Sequence, residues 1–75
     1  MITMNNTTFV QQKGVTWGLW AVYYKGNYIG MVSEGYKGTY TFESKDSSVV
    51  TKGDSQLLAV NKAEWYLNQQ GKSLI

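Results

Sequence analysis

The stretch Tyr24-Lys25-Gly26-Asn27-Tyr28 is followed by a similar one, Tyr36-Lys37-Gly38-Thr39-Tyr40. In both, residues that suit a tight turn stand between tyrosines, which favour strands. Aromatic and β-branched residues are dense around the two stretches, from Trp17 to Phe42. The pattern predicts a three-stranded antiparallel meander over this segment.

The pairing register follows from the two turns. Gly26-Asn27 is the predicted loop of the first hairpin, because both residues tolerate the positive φ that two-residue hairpin loops require. This loop sets Val22 opposite Met31. The second turn, Gly35-Tyr36-Lys37-Gly38, then sets Met31 opposite Phe42.

Because side chains alternate between the two faces of a strand, this register sorts the meander into two sides. The predicted core side is almost wholly apolar and consists of Trp20, Val22, Tyr24, Ile29, Met31, Tyr40 and Phe42. The predicted outer side is mixed and consists of Trp17, Leu19, Ala21, Tyr23, Lys25, Tyr28, Val32, Glu34, Thr39, Thr41 and Glu43.

The flanking segments complete a single predicted domain over residues 1–75. Residues 1–14 are polar and form either an edge strand or a loose arm. The meander covers 16–52, including a short fourth strand near its end. A helix over 54–70 follows, with Asp54 or Ser55 as its N-cap and Gly71 as its C-terminal stop. The sequence therefore predicts an α+β fold: an antiparallel meander of three to four strands, packed on one face by a single C-terminal helix.

The predicted helix has two apolar faces. At 100° per residue, the face toward the sheet consists of Leu57, Ala59, Val60, Ala63, Tyr66 and Leu67. Leu58 and Trp65 are seven residues apart and lie on the opposite side. We expect this pair to serve self-association, because a two-fold homodimer is the commonest way in which a small chain covers such residues.

The composition argues against an enzyme. The chain has no histidine and no cysteine, and its carboxylates are few. Glu34 and Glu43 share the predicted outer side but would stand about 13 Å apart at ~3.3 Å per residue, too far for paired-carboxylate hydrolysis. Without imidazole or thiolate, and without the ligand spacing of an EF-hand, the sequence predicts no catalytic residues, no cofactor and no metal site.

The sequence also suggests a location. Its 75 residues contain no apolar run of the ~20 residues that a membrane span needs, and the chain begins without the pattern of a signal peptide. The predicted location is the cytoplasm, with no membrane partner. All seven basic residues are lysine, and a composition rich in lysine and amide residues suits a bacterial or phage gene.

The candidate partner-binding residues are Trp17, Leu19, Tyr23, Lys25, Tyr28 and Val32, on the predicted outer side. One alternative is structural: an N-terminal strand or a second subunit covers this side. The favoured functional interpretation is a small regulator or inhibitor that contacts an unidentified protein through Tyr and Trp anchors. The other is single-stranded nucleic-acid binding by base stacking and lysines, although the lysines are scattered along the chain. Stacking on a sugar ranks below both.

One family resemblance is local. The stretch Thr51-Lys52-Gly53-Asp54-Ser55 leading into Ala59 and Ala63, with Lys25-Gly26-Asn27-Tyr28 upstream, is similar to the strand and helix of HicB-type antitoxin domains. The strand between the two stretches is extra, and the proline-containing turn of that family is missing. We therefore carry no function over from the resemblance.

Overall fold

Five antiparallel strands and one C-terminal helix make up residues 3–74, the part of the chain that the computed structural model describes. The elements are β1 (Thr7–Gln11), β2 (Leu19–Tyr24), β3 (Asn27–Glu34), a 3-10 turn (Tyr36–Gly38), β4 (Tyr40–Ser44), β5 (Val50–Gly53) and α1 (Gln56–Gln69). The strands are hydrogen-bonded in chain order, and α1 packs on one face of the sheet. The predicted α+β class, an antiparallel sheet with a single C-terminal helix, is confirmed.

The sheet has five strands instead of three to four. The additional strand is β1, which pairs with β2 so that Phe9 lies opposite Val22. Phe9 then packs against the hydrophobic core. Of the two structures that the sequence left open for this segment, the edge strand is the one that forms.

The predicted register was wrong by one residue. The two-residue loop is Lys25-Gly26, with φ of 49° and 84°, and Asn27 is already paired with Tyr24. Both loop residues therefore adopt the positive φ of a type I′ turn. The second loop is also longer than expected, so that Phe42 lies opposite Val32.

A β-bulge in β3 accounts for the rest of the difference between the predicted and the observed register. Tyr23 pairs with Tyr28 but Val22 pairs with Gly30, so Ile29 is the extra residue on β3. Gly30 has a φ of 155°, and a Cβ atom built on it would lie 2.7 Å from a carbon of the Phe42 ring. The ring therefore covers a position that only glycine can occupy without a shift of its neighbours.

The exchange of Met31 and Val32 is the main consequence. Val32 is completely buried, whereas Met31 is only half-buried and lies on the other face. Both assignments in the predicted register were therefore wrong, since it placed Met31 inside and Val32 outside. The core combines side chains from β2, β3, β4 and α1 with one residue just before β5 and one after α1: Val22, Tyr24, Ile29, Val32, Phe42, Val49, Ala59, Val60, Ala63, Leu67 and Leu74.

Helix α1 is capped at both ends. The Ser55 hydroxyl accepts a hydrogen bond from the Leu58 amide, so Ser55 is the N-cap. At the C-terminal end, the Lys72 amide donates to the Leu67 carbonyl and the Gly71 amide to the Asn68 carbonyl, which is a Schellman motif.

The helix lies off-centre. It packs chiefly against β5 and β4 and barely reaches β3. A Cβ atom on Gly53 would lie 2.7 Å from the Ala59 nitrogen, so the helix rests directly on that glycine. Tyr66, expected on the buried face, is 49% exposed, because it lies on the flank of the helix that overhangs the β5 edge.

Asp46 organises the loop between β4 and β5. Its carboxylate accepts hydrogen bonds from the hydroxyl and the amide of Ser48 and from the hydroxyl of Ser44. The Ser44 hydroxyl also accepts from the Val49 amide. The bonds from Ser48 and then Ser44 stabilise the ionised form and lower the pKa of Asp46 from 3.8 to about 2.

The register predicts opposite outcomes for two neighbouring substitutions. Val32→Lys should unfold the domain, because it places an unpaired charge in the core. Met31→Lys should cost about 1 kcal/mol or less, within the range of surface substitutions. Urea denaturation followed by circular dichroism measures both, and a stable Val32→Lys variant beside an unfolded Met31→Lys variant would restore the original register.

Asp46 predicts a pH dependence. Its folded pKa lies below the unfolded value, so its stabilising contribution is present above about pH 4 and is lost as the pH falls through about 2. The melting temperature of the native chain should therefore exceed that of Asp46→Asn at pH 6, and the gap should close between pH 4 and pH 2. A gap that is constant over this window would mean that the loop hydrogen bonds do not depend on the charge.

Candidate functional site

The outer face of the sheet is the side turned away from α1, and no described segment of the chain covers it. Its outward-facing side chains form three rows that run across the strands. The middle row consists of Val10, Ala21, Met31, Glu43 and Val50. The row nearest the first hairpin turn consists of Thr8, Tyr23 and Tyr28. The third row consists of Leu19, Ser33, Thr41 and Lys52.

The apolar part of this face is concentrated over β1, β2 and β3. We call it the β1–β3 patch, and it consists of Val10, Leu19, Ala21, Tyr23, Tyr28 and Met31. Three strands at ~4.8 Å spacing and about five residues at ~3.3 Å give a projected area of about 240 Å². That is below the ~300–600 Å² of the largest apolar patch on a typical soluble monomer, which is often functional.

Tyr23 and Tyr28 form the aromatic centre of the patch. They are directly opposite each other on β2 and β3, and their ring centroids are 5.7 Å apart at an interplanar angle of 59°. A tilted pair at this distance is a favourable aromatic arrangement. The pair holds two rings on rigid strands, which limits the entropy that a partner must remove when it binds.

The charge on the outer face is balanced. Glu43 and Lys52 are the charged residues among its three rows. The other six lysines, all within the described residues, lie in turns and loops, on the helix or beyond its end. The face therefore offers neither a basic stripe for a phosphate backbone nor an acidic one for a basic partner.

The six predicted partner-binding residues do not form one surface in the structure. Tyr23 and Tyr28 lie together, and Leu19 is on the same face farther along β2. Val32 belongs to the core and cannot contact a partner. Trp17 is exposed, but it lies in the loop before β2 and not on a strand.

Lys25 is also displaced from the predicted site. It occupies the turn, and its ammonium lies 5.5 Å from the centre of the Tyr24 ring, which faces the core side of the sheet. The lysine therefore approaches the edge of the opposite face and does not flank the tyrosine pair.

Three apolar residues of the outer face were missed from the sequence. Met31 could be assigned only once the bulge at Ile29 was known, because moving the turn by one residue alone would still pair Met31 with a core-side residue of β2. Val10 could be assigned only once β1 was paired with β2, and Val50 only once the register of β5 was known. The alternation of side chains along each strand indicates which residues share a face, but no local feature of the sequence determines how neighbouring strands pair.

The pair predicted for self-association lies on the side of α1 that faces away from the sheet. Leu58 and Trp65 are 41% and 65% exposed. Trp65 borders a shallow groove of about 350 Å³ that it shares with Asn61, Glu64 and Asn68. The pair consists of two apolar side chains on a helix of 14 residues, about 21 Å long at ~1.5 Å per residue, and self-association through them stays a prediction.

A polar pocket of about 360 Å³ lies where the loop between β4 and β5 meets the end of the helix. Asp46 supplies the carboxylate in the lining of this pocket, and the hydrogen bonds from Ser48 and Ser44 favour its ionised form. A carboxyl group with a pKa of about 2 is a poor general acid or base near neutral pH. Within residues 3–74, no group of three or more Asp, Glu, His or Cys side chains is placed to hold a metal ion.

No protein-family model, curated protein or solved structure matches this chain. The one helix of the described residues is too short and too polar to cross a membrane. What is established is the class, a small α+β domain with a five-stranded antiparallel sheet, one face of which is covered by no segment within residues 3–74.

The placement of Tyr28 predicts a mild effect on folding. Its ring is 39% exposed, so Tyr28→Ala should keep the fold and cost about 1 kcal/mol, the usual value of an aromatic pair. Tyr40→Ala should cost more, because Tyr40 packs with Trp20 against the core. Urea midpoints of the two variants check the order, and unfolding by Tyr28→Ala alone would show that the outer face is an interior surface.

Proposed function

We propose that this chain is a non-enzymatic binding protein, a small regulator or inhibitor, whose β1–β3 patch docks onto an apolar, charge-neutral surface of a partner protein. The observation that carries the proposal is the Tyr23–Tyr28 pair beside Met31 on a sheet face that no described segment covers. Tyrosines held in this way are typical anchors of protein interfaces, where the centre is depleted of charge.

The energetics of the patch favour a protein over a nucleic acid. Single-strand binding combines stacking with a groove of positive charge that follows the phosphates. On the outer face, Lys52 is balanced by Glu43, and both lie beside the patch and not around it. Stacking on the tyrosines would therefore lack the electrostatic contribution that dominates nucleic-acid affinity.

The area of the whole outer face, which includes the β1–β3 patch, sets the upper limit of the expected strength. The whole outer face, five strands wide, projects to about 400 Å² at ~4.8 Å per strand and ~3.3 Å per residue. Doubled for two partners, it reaches the range of weak and transient interfaces, below about 1,200 Å² in total. A reversible regulator suits this range. We place its action in the cytoplasm of a bacterium or a phage-infected cell, on the absence of cysteine and the use of lysine without arginine.

A pull-down from bacterial lysate with a matched pair of variants tests the proposal. Met31→Lys puts a charge in the centre of the patch, and Leu58→Lys puts the same charge on the exposed side of the helix. One defined protein should be retained by the native chain and by Leu58→Lys after nuclease treatment and in high salt. Met31→Lys should lose it, because the partner's apolar surface would have to accept an unpaired charge.

Three outcomes would overturn this function. The first is capture that survives Met31→Lys but not Leu58→Lys, which would move the site to the helix. The second is tight binding of a 20-nucleotide oligothymidine that weakens steeply with salt, which would establish the single-strand alternative. The third is a salt-tolerant homodimer in sedimentation that Met31→Lys dissociates, since a second copy would then cover the face.

A further inference from the structure

A second surface lies at the free edge of β5, distinct from the outer face. Strand β5 is the last in the sheet, and in residues 3–74 no other strand pairs with its outer edge. Beside it, a groove of about 270 Å³ is lined by Ser48, Val49, Val50, Thr51 and Tyr66. Two exposed apolar side chains border this edge, Val50 on the outer face and Tyr66 on the helix flank.

The direction of the backbone groups on β5 follows from its pairing. The Ser44 amide donates to the Val49 carbonyl, so Val49 and every second residue after it bond toward β4. Val50 and Lys52 alternate with these positions, and their N–H and C=O groups point to the free edge. This edge therefore presents a short template to which an extended chain can add a strand.

Two lysines lie next to the edge. The nearby carboxylates are Glu43, which lies one strand inward on β4, Asp46, which is hydrogen-bonded to Ser48 in its loop, and Asp54, which follows the end of β5. Lys52 is exposed on β5 itself, and Lys62 precedes Tyr66 by one helical turn, so it lies on the same flank of α1. The two lysines thus border the free edge on its two sides, one on the outer face and one on the helix. An incoming strand that carries carboxylates would be complementary to both.

A second copy of this chain fits the edge poorly. Gly53 lies beside Ala59, and Val50 lies beside Tyr66, so β5 runs alongside helix residues 59–66. Lys62 is near the midpoint of this stretch and is therefore level with the middle of β5. Pairing two β5 edges about a two-fold axis at this level would bring the two Lys62 side chains together. Like charges that face each other in this way oppose association.

We propose that the β5 edge binds an extended acidic peptide segment of a partner protein by strand addition. The segment bonds to the outward N–H and C=O groups of Val50 and Lys52 and packs an apolar side chain on Tyr66. Its carboxylates lie near Lys52 and Lys62. This site is independent of the β1–β3 patch, and either can be present without the other.

The test uses defined probes. The first is a fluorescent ten-residue peptide that alternates valine with glutamate. The second alternates valine with lysine. The third is the glutamate peptide with N-methyl groups on alternate backbone amides, which removes the donors on one edge. The glutamate peptide should bind at least tenfold more tightly than either control, and amide shifts in nuclear magnetic resonance should move at Val50, Thr51, Lys52 and Tyr66.

Variants of the chain separate the contributions. Lys62→Glu should weaken the glutamate peptide about fivefold, as expected for reversing one exposed charge contact. Lys13→Glu, the same change in the loop before β2, should leave binding unchanged. Val50→Pro removes an outward N–H without touching the bonds to β4, and it should abolish binding. If Val50→Pro does not fold, the binding measurements on Lys62→Glu and Tyr66→Ala replace it as the test, because both substitutions are at exposed side chains.

Several results would overturn the proposal. They are equal binding of the glutamate and lysine peptides, retained binding of the N-methylated peptide, shifts confined to other strands, and no binding at millimolar peptide. The last would indicate that Lys52 and the shortness of β5 serve only to prevent edge-to-edge aggregation. A homodimer that Val50→Pro dissociates would assign the edge to a second copy.

Discussion

The packing of the Phe42 ring over Gly30 is the contact on which the arrangement of the sheet depends. The bulge at Ile29 brings Gly30 and Val32 to the core side of the sheet, and the loop before β4 sets Phe42 opposite Val32 there. Both residues are completely buried, as is Val22 across from Gly30. With these positions fixed inside, alternation leaves Met31 and the Tyr23–Tyr28 pair outside. The core contact therefore determines the composition of the outer face.

The second determinant is the close approach of α1 to Gly53. The small residues Ala59 and Ala63 face the sheet and are fully buried, which lets the helix settle over β5 and β4. The hydrogen bond from the Thr51 hydroxyl to the Ala59 carbonyl ties the two elements together. This off-centre position leaves the other half of the core side to be filled by aromatic side chains of the sheet, while Tyr66 overhangs the β5 edge.

The two proposed surfaces differ in physical character. The β1–β3 patch is apolar and neutral, so its binding should depend on buried area and tolerate salt. The β5 edge offers backbone hydrogen bonds between two lysines, so its binding should depend on the conformation and charge of the incoming segment and weaken with salt. A domain of 75 residues has little core in which to enclose a deep pocket, and flat faces and edges are the surfaces it can supply.

The local features of the chain could be predicted from its sequence. The tyrosine-flanked turns indicated a meander, and Ser55 and Gly71 are the residues whose side chain and backbone form the helix caps. These signals are short-range, since a turn or a cap depends on a few neighbouring residues. The sequence also placed Tyr23 and Tyr28 on the outer side, although not opposite each other, because both lie between the turn and the bulge at Ile29.

The tertiary structure alone decided which of Met31 and Val32 is buried. Lys25-Gly26 and Gly26-Asn27 are both acceptable hairpin loops, and either one alone would leave Met31 on the core side, so the bulge at Ile29 and not the turn decides which residue is buried. The choice is made by the fit of Phe42 over Gly30 and of the helix against the sheet, which are contacts between residues distant in the chain. A one-residue shift reverses every side chain beyond it, and for that reason the fold class followed from the sequence while the composition of the candidate site did not.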